Sequence, residues 1–276
     1  MFTPLTLDPT LLVVTTWQEV EEEFEPQLQI GRVAPTNAYA IKTLLSGDPE
    51  TANELSMAAK LNSLQSLTQA FPNTHGFLLC TDAPPQMPAA PPGEAHVLLF
   101  SDRIDATFDE LPDDPKHNED CYFQLLIGLY YARKRLKFTH WDIHNKQIMF
   151  NRLPQPQDTT FPIGSFFVTL ENTAIEAKLI DYGKSAACEN FSEEEWEEPQ
   201  FKKMWSKSDI YHLSLIFSHR NHLNQKMHDF LHNIVLPQYR AAMYAQRLEN
   251  DSATNYQNIE ALLRLYFVDT DGGLTQ

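Results

Sequence analysis

Glycine is scarce in this sequence, and its placement matters more than its number. There are nine in 276 residues, and the first is Gly31. Backbone N–H groups approach a phosphate closely only where no Cβ intervenes. Residues 1–30 therefore hold no glycine-rich phosphate loop. Neither a P-loop nor a Gly-x-Ser-x-Gly elbow occurs anywhere. Cysteine is scarcer still: Cys80, Cys121 and Cys188 are few, odd in number and widely spaced. That excludes a disulfide framework or zinc knuckle and makes a reducing intracellular compartment the expectation. No apolar stretch approaches the length of a membrane span. The N-terminus MFTPLTLDPTLLVVTT lacks the basic flank and long apolar run of a signal peptide. A cytoplasmic protein without membrane contact is expected. Positive charge is also short, with 21 Lys and Arg against 37 Asp and Glu and a net charge of −16. Non-specific nucleic-acid binding needs a basic surface and is not expected here. Acid is partly clustered in Glu19 to Glu25 and Glu193 to Glu198. Such runs are ordinarily solvated surface; the functional alternative is a docking patch for a basic protein partner or substrate.

What is present is an ordinary globular balance, 42% hydrophobic and 11% aromatic. The length allows one large domain or two lobes with their own cores. Leu11 to Thr16 reads as a first strand, and Gln27 to Ala34 and Asn37 to Leu45 as two more around a Pro-Thr-Asn turn. Pro49 to Thr68 reads as a helix with cap candidates in Ser46 to Asp48. His75 to Thr81 and Ala95 to Phe100 read as a strand pair across the proline-rich loop DAPPQMPAAPPG. Pro112 to Glu119 reads as loop, and Asp120 to Leu136 as a helix with apolar residues at helical spacing. Gln155 to Pro162 reads as a polar turn before a hairpin made by Phe166 to Leu170 and Glu176 to Ile180. Helical periodicity returns in Leu223 to Leu236 and in Tyr256 to Phe267.

Chemistry concentrates in two stretches. In FTHWDIHNKQIMF, Asp142 stands between His140 and His144, and an apolar trio follows. In AKLIDYG, Asp181 ends an apolar run and Gly183 allows a sharp turn. Two acids, each at the edge of a short apolar strand, suit a site holding metal and phosphate. His140 and His144 also have the i, i+4 spacing of a zinc pair. The glutamate that a zinc hydrolase needs after the first histidine is replaced by Trp141. A second group, His219, His222, His228 and His232, reads as surface or core histidines.

These stretches resemble the protein-kinase superfamily. His140-Trp141-Asp142 sits where that family has His-Arg-Asp, and Asp181-Tyr182-Gly183 where it has Asp-Phe-Gly. HWDIH with IDY is similar to the atypical, haspin-like branch, and closest to the kinase-like proteins of large DNA viruses. The resemblance spans roughly Gln27 to Phe217. It implies an α+β, two-lobed kinase-like fold, with residues 1–101 as a small β-rich lobe and 102–276 as a larger, mainly helical one. It also implies ATP and Mg2+ as cofactors and a cytoplasmic setting in a host cell or virion. Lys42, in Tyr39-Ala40-Ile41-Lys42, would hold the phosphates, and Glu54 would reach back to it, with Glu50 the competing acid. Asp142 would orient the substrate hydroxyl, and Asp181 would bind magnesium with Gln147 as second ligand. Asp209 would bond the backbone of the catalytic loop.

Three departures qualify these roles. The glycine lid is missing, Gln147 stands where the family has asparagine, and Trp141 replaces an arginine that pairs with a phosphorylated activation segment. A serine/threonine kinase of atypical type is the first expectation. A pseudokinase kept for binding or scaffolding is the alternative.

Overall fold

The computed structural model describes residues 14–15, 39–80, 89–187, 209–238 and 256–269. The expected strand at Gln27 to Ala34, both acidic runs, Cys188 and most of the proline-rich loop lie outside these. The chain is α+β. It divides into two compact units, Met1–Ser63 with Pro72–Ile104 and Asp181–Lys184, and Leu64–Phe71 with Asp105–Ile180 and Ser185–Gln276. No helix among the described residues is long and apolar enough to cross a membrane.

The first unit is built on a four-stranded sheet with strands β1 (Val14–Thr15), β2 (Tyr39–Leu45), β3 (Thr74–Cys80) and β4 (His96–Asp102), in the order β1-β3-β4-β2. β4 pairs antiparallel with both β2 and β3, and β1 runs parallel to β3. β4 reads HVLLFSD and is buried from His96 to Phe100, as a central strand must be. Helix α1 (Pro49–Asn62) starts at Asp48, whose carboxylate accepts from Glu50 N, with proline at the first helical position. Met57, Ala58 and Leu61 of α1 are buried, as are Leu78, Leu98 and Phe100 of the sheet. The helix ends sooner than its periodicity suggests, at Asn62 rather than Thr68. The Asn62 side chain donates to Thr74 O (2.5 Å) and accepts from Thr74 N (2.8 Å). It completes a strand-like pair with the first residue of β3, and helical continuation loses to it.

The second unit is organised by helix α2 (Pro115–Leu136), buried along most of its length. It begins five residues before the expected start, because Asp114 caps Lys116 N and His117 N and Pro115 occupies the first turn. The segment expected to be loop thus contains the helix start. Two short strands, β5 (Ala106–Thr107) and β6 (Phe138–Thr139), flank it in sequence. Strands β7 (Ile148–Ile163) and β8 (Phe166–Leu179) make a long antiparallel hairpin, and β5 pairs with the base of β7. The expected turn at Gln155 to Pro162 is therefore strand. The physical reason is a break in register: residues 153–156 lie opposite Ala174 alone, between the pairs Arg152–Ile175 and Gln157–Thr173. The bulge takes in Pro154 and Pro156, which lack the N–H a ladder requires. The true turn lies at Gly164, at φ 54. Gln124 of α2 donates to Ile175 O and accepts from Ala177 N, so it bonds β8 much as a neighbouring strand would.

β9 (Ala186–Ala187) pairs with β6. Helices α3 (Asp209–Ser218), α4 (Gln225–Asp229) and α5 (Tyr256–Arg264) complete the unit; the last two run on into π-helical turns, Phe230–Val235 and Leu265–Asp269. Their aromatic residues close the core on α2. Phe123 lies 4.3 Å from Tyr266, ring to ring, and Tyr122 packs edge-on to Phe217. Tyr122 Oη also bonds Ser214 Oγ at 2.9 Å.

Candidate functional site

In the first unit, Lys42 comes from the middle of β2, paired with Leu99 of β4. Its Nζ lies 2.7 Å from Asp181 Oδ1 and 3.2 Å from Glu54 Oε1. Of the two acids in the first turns of α1, Glu54 is the one that meets the lysine. The two carboxylates differ in setting. Glu54 is buried, with 4% of its side chain exposed, whereas Asp181 is 47% exposed and Lys42 40%. Burial raises the Glu54 pKa above its ordinary value, against the pull of Lys42 and a backbone bond with Tyr182. Burial likewise lifts the Tyr182 hydroxyl well above 10, with the charges of Glu54 and Asp181 adding to it.

Asp181 has φ 69, in the left-handed region that an L residue adopts only at a cost. Gly183 does not share it: the positive-φ glycines among the described residues are Gly93 and Gly164. Its role differs from the sharp turn expected of it. A Cβ at Gly183 would lie 3.2 Å from Glu50 Oε2 and 3.5 Å from Glu54 Oε2, so the missing side chain lets the backbone approach α1. Asn53 holds the same segment, donating to Tyr182 O (3.2 Å) and Gly183 O (2.8 Å). Nothing in the sequence argument singled out Asn53. The available signal was its helical spacing with Glu50 and Glu54, three residues that share one face.

In the second unit, Asp142 and Gln147 belong to the loop between β6 and β7. Asp142 is half-buried and Gln147 is 4% exposed. Asp209 fixes the start of this loop. Its Oδ2 accepts from His140 N and its Oδ1 from Trp141 N, both at 2.9 Å, and Arg133 approaches Oδ2 at 3.4 Å. The His140 ring bonds Ile180 O at 2.9 Å, and Ser185 Oγ donates to His140 O at 3.2 Å. Trp141, at φ 65, is 7% exposed. A tryptophan in the left-handed region is a marked outlier, of the kind that gathers at functional loops. His144 Nδ1 accepts from Lys146 N and caps the short 3-10 turn Asn145–Gln147. Gln147 then accepts from Ile180 N through its carbonyl at 2.9 Å.

The two histidines beside Asp142 are thus engaged in holding the loop, and they do not lie on a helix. Among the described residues, no group of three or more His, Cys, Asp or Glu side chains is arranged to hold a metal ion. His228 and His232 stack at 4.4 Å between ring centroids on a half-exposed helix face. A cavity of about 240 Å3 opens in the second unit beside the β7 bulge, lined by Thr68, Gln124, Gln157 and Thr173 among others; none of the five expected site residues lines it.

The structure therefore brings Lys42, Glu54 and Asp181 together in one unit, while Asp142 and Gln147 share a loop of the other. No protein-family model matches the chain, and the curated proteins give no match either.

Proposed function

We propose that the protein is an ATP- and Mg2+-dependent phosphotransferase, a serine/threonine protein kinase of atypical type on a two-lobed kinase-like fold. The observation that carries this reading is Lys42, bonded at once to a buried carboxylate and an exposed one. A lysine needed only for stability gains little from a half-exposed partner. Held by Glu54 and facing Asp181, it is poised to exchange the exposed carboxylate for a phosphate oxygen. Asp181 fits a magnesium ion: it is a hard oxygen donor, open to solvent, and magnesium keeps several waters and takes one or two carboxylates plus phosphate. Bound magnesium would supply the charge neutralisation that the phosphates require in a chain of net charge −16. Gln147 offers an amide oxygen as second ligand on a longer arm than the family's asparagine. Asp142 is assigned the substrate hydroxyl, which it would orient and from which it would accept the proton. The ties from Asp209 to the preceding backbone support that role by fixing the loop. A protein substrate with basic character suits the acidic chain.

The second reading, a pseudokinase that binds or scaffolds, draws on the absence of glycine before Gly31 and on Gln147. Thermal melting with ATP, in magnesium and then in EDTA, separates the two. Ligand at about 100 times its dissociation constant adds roughly 2.7 kcal/mol. Under the first reading the shift requires magnesium, Asp181→Asn abolishes it, and phosphate transfer is lost in Asp142→Ala. Under the second, transfer is absent from wild type. No shift at millimolar ATP in wild type sinks the nucleotide site itself.

A further inference from the structure

The turn from Asp181 to Gly183 is read by a single face of α1. Glu50, Asn53 and Glu54 stand at i, i+3 and i+4 and so lie side by side. Glu50 crowds Gly183, Glu54 lies in contact range of it, and Asn53 donates to the carbonyls of Tyr182 and Gly183. The amide nitrogen of Asn53 carries two hydrogens, one for each carbonyl. An aspartate in the left-handed region persists only when its surroundings over-determine it. Here the carboxylate of Asp181 is tied by Lys42, and the backbone immediately after it is tied by Asn53.

We propose that Asn53 is a positioning residue for the phosphate and metal site: by bonding both carbonyls after Asp181 it holds that carboxylate in its left-handed pose beside Lys42. The proposal rests on the phosphotransferase reading. It adds to it a residue that touches neither nucleotide nor metal and acts through the backbone of residues 182 and 183. Asparagine suits the task because it is a neutral donor on a short arm. Aspartate has the same shape and offers only acceptors, which would face two carbonyl oxygens. Alanine removes the donor and leaves the helix intact.

The test uses the full chain, as wild type, Asn53→Ala, Asn53→Asp and Asn53→Gln. The first readout is the magnesium concentration that gives half of the ATP-induced melting shift. The second is the size of the ATP shift at saturating magnesium, and the third is amide hydrogen exchange at residues 182–184 without ligand. Positioning predicts that Asn53→Ala, which loses both hydrogen bonds, raises the magnesium midpoint about tenfold or more, and that Asn53→Asp raises it further. The shift at saturating magnesium stays within about twofold, since excess metal makes up for a misplaced carboxylate, and exchange at 182–184 accelerates in both. Asn53→Gln keeps the donor on a longer arm and falls between wild type and Asn53→Ala; it also stands in if Asn53→Ala does not fold. Midpoints within twofold of wild type in Asn53→Ala and Asn53→Asp, with the ATP shift retained, overturn the proposal and leave the phosphotransferase reading standing. So does an Asn53→Gln midpoint displaced as far as that of Asn53→Asp. If wild type shows no magnesium-dependent shift, the underlying reading falls, and the proposal falls with it.

Discussion

At Lys42, one ammonium serves two carboxylates of unlike setting, and the difference decides what pH does. Burial raises the Glu54 pKa above the ordinary value of a glutamate. A carboxyl that binds its proton more tightly in the folded state adds stability below its unfolded pKa and loses that contribution as pH rises through the folded value. Lys42 limits the loss by favouring the charged form. In Lys42→Met the charged form of Glu54 is buried without its cation, so the decline with pH becomes steeper and reaches higher pH. The difference in melting temperature between wild type and Lys42→Met should be small near pH ~4, where the carboxyl is protonated in either state. It should grow to the equivalent of about 1–3 kcal/mol at neutral pH. Melting curves from pH 4 to 8 check this, and a constant offset would disprove it. Asp181 contributes little to the effect, because an exposed partner is screened by water.

Among the elements, α2 is the one against which the second unit closes, and Gly128 marks its tightest contact. A Cβ there would overlap the Cβ of Ala70, which has no freedom to move aside. Two effects oppose each other in Gly128→Ala: helix propensity gains about 1 kcal/mol, while overpacking costs about 1–3 kcal/mol. The steric term wins because the obstacle is a Cβ fixed to its own backbone. Net destabilisation of up to about 2 kcal/mol is expected, read as a lower urea midpoint at unchanged slope. The interior of α2 was legible in the sequence because its apolar positions repeat at helical spacing over many turns. Its start was missed because Asp114-Pro115 is a capping signal without an apolar stripe behind it. β7 was misread because Pro154 and Pro156 announce a turn locally, and only pairing with β8 makes them a bulge. Lys42, Glu54 and Asp181 were legible through their order along the chain and their resemblance to a known pattern. Asn53 was not, because a side chain that bonds two carbonyls leaves no trace in its own sequence neighbourhood. Trp141 likewise gave no sign of its left-handed backbone, whose N–H is held by Asp209, 68 residues away.

For the whole molecule, the net charge of −16 sets a general self-repulsion. The Debye length falls from about 30 Å at 0.01 M salt to about 8 Å at 0.15 M. The melting temperature should therefore rise over that range in sodium chloride, and a fall would mean that attractive ion pairs dominate instead. Chain connectivity has its own consequence at this scale. His140 is gripped through its N–H by Asp209, through its ring by Ile180 and through its carbonyl by Ser185, partners 69, 40 and 45 residues away along the chain. Contacts of such sequence separation form slowly, because the intervening chain must be closed before any of them compensates the lost entropy. During synthesis the ribosome must release residue 209 before this loop can take shape at all. The stretch richest in candidate chemistry lies in the middle of the chain, and yet it is among the last parts of the protein to acquire its form.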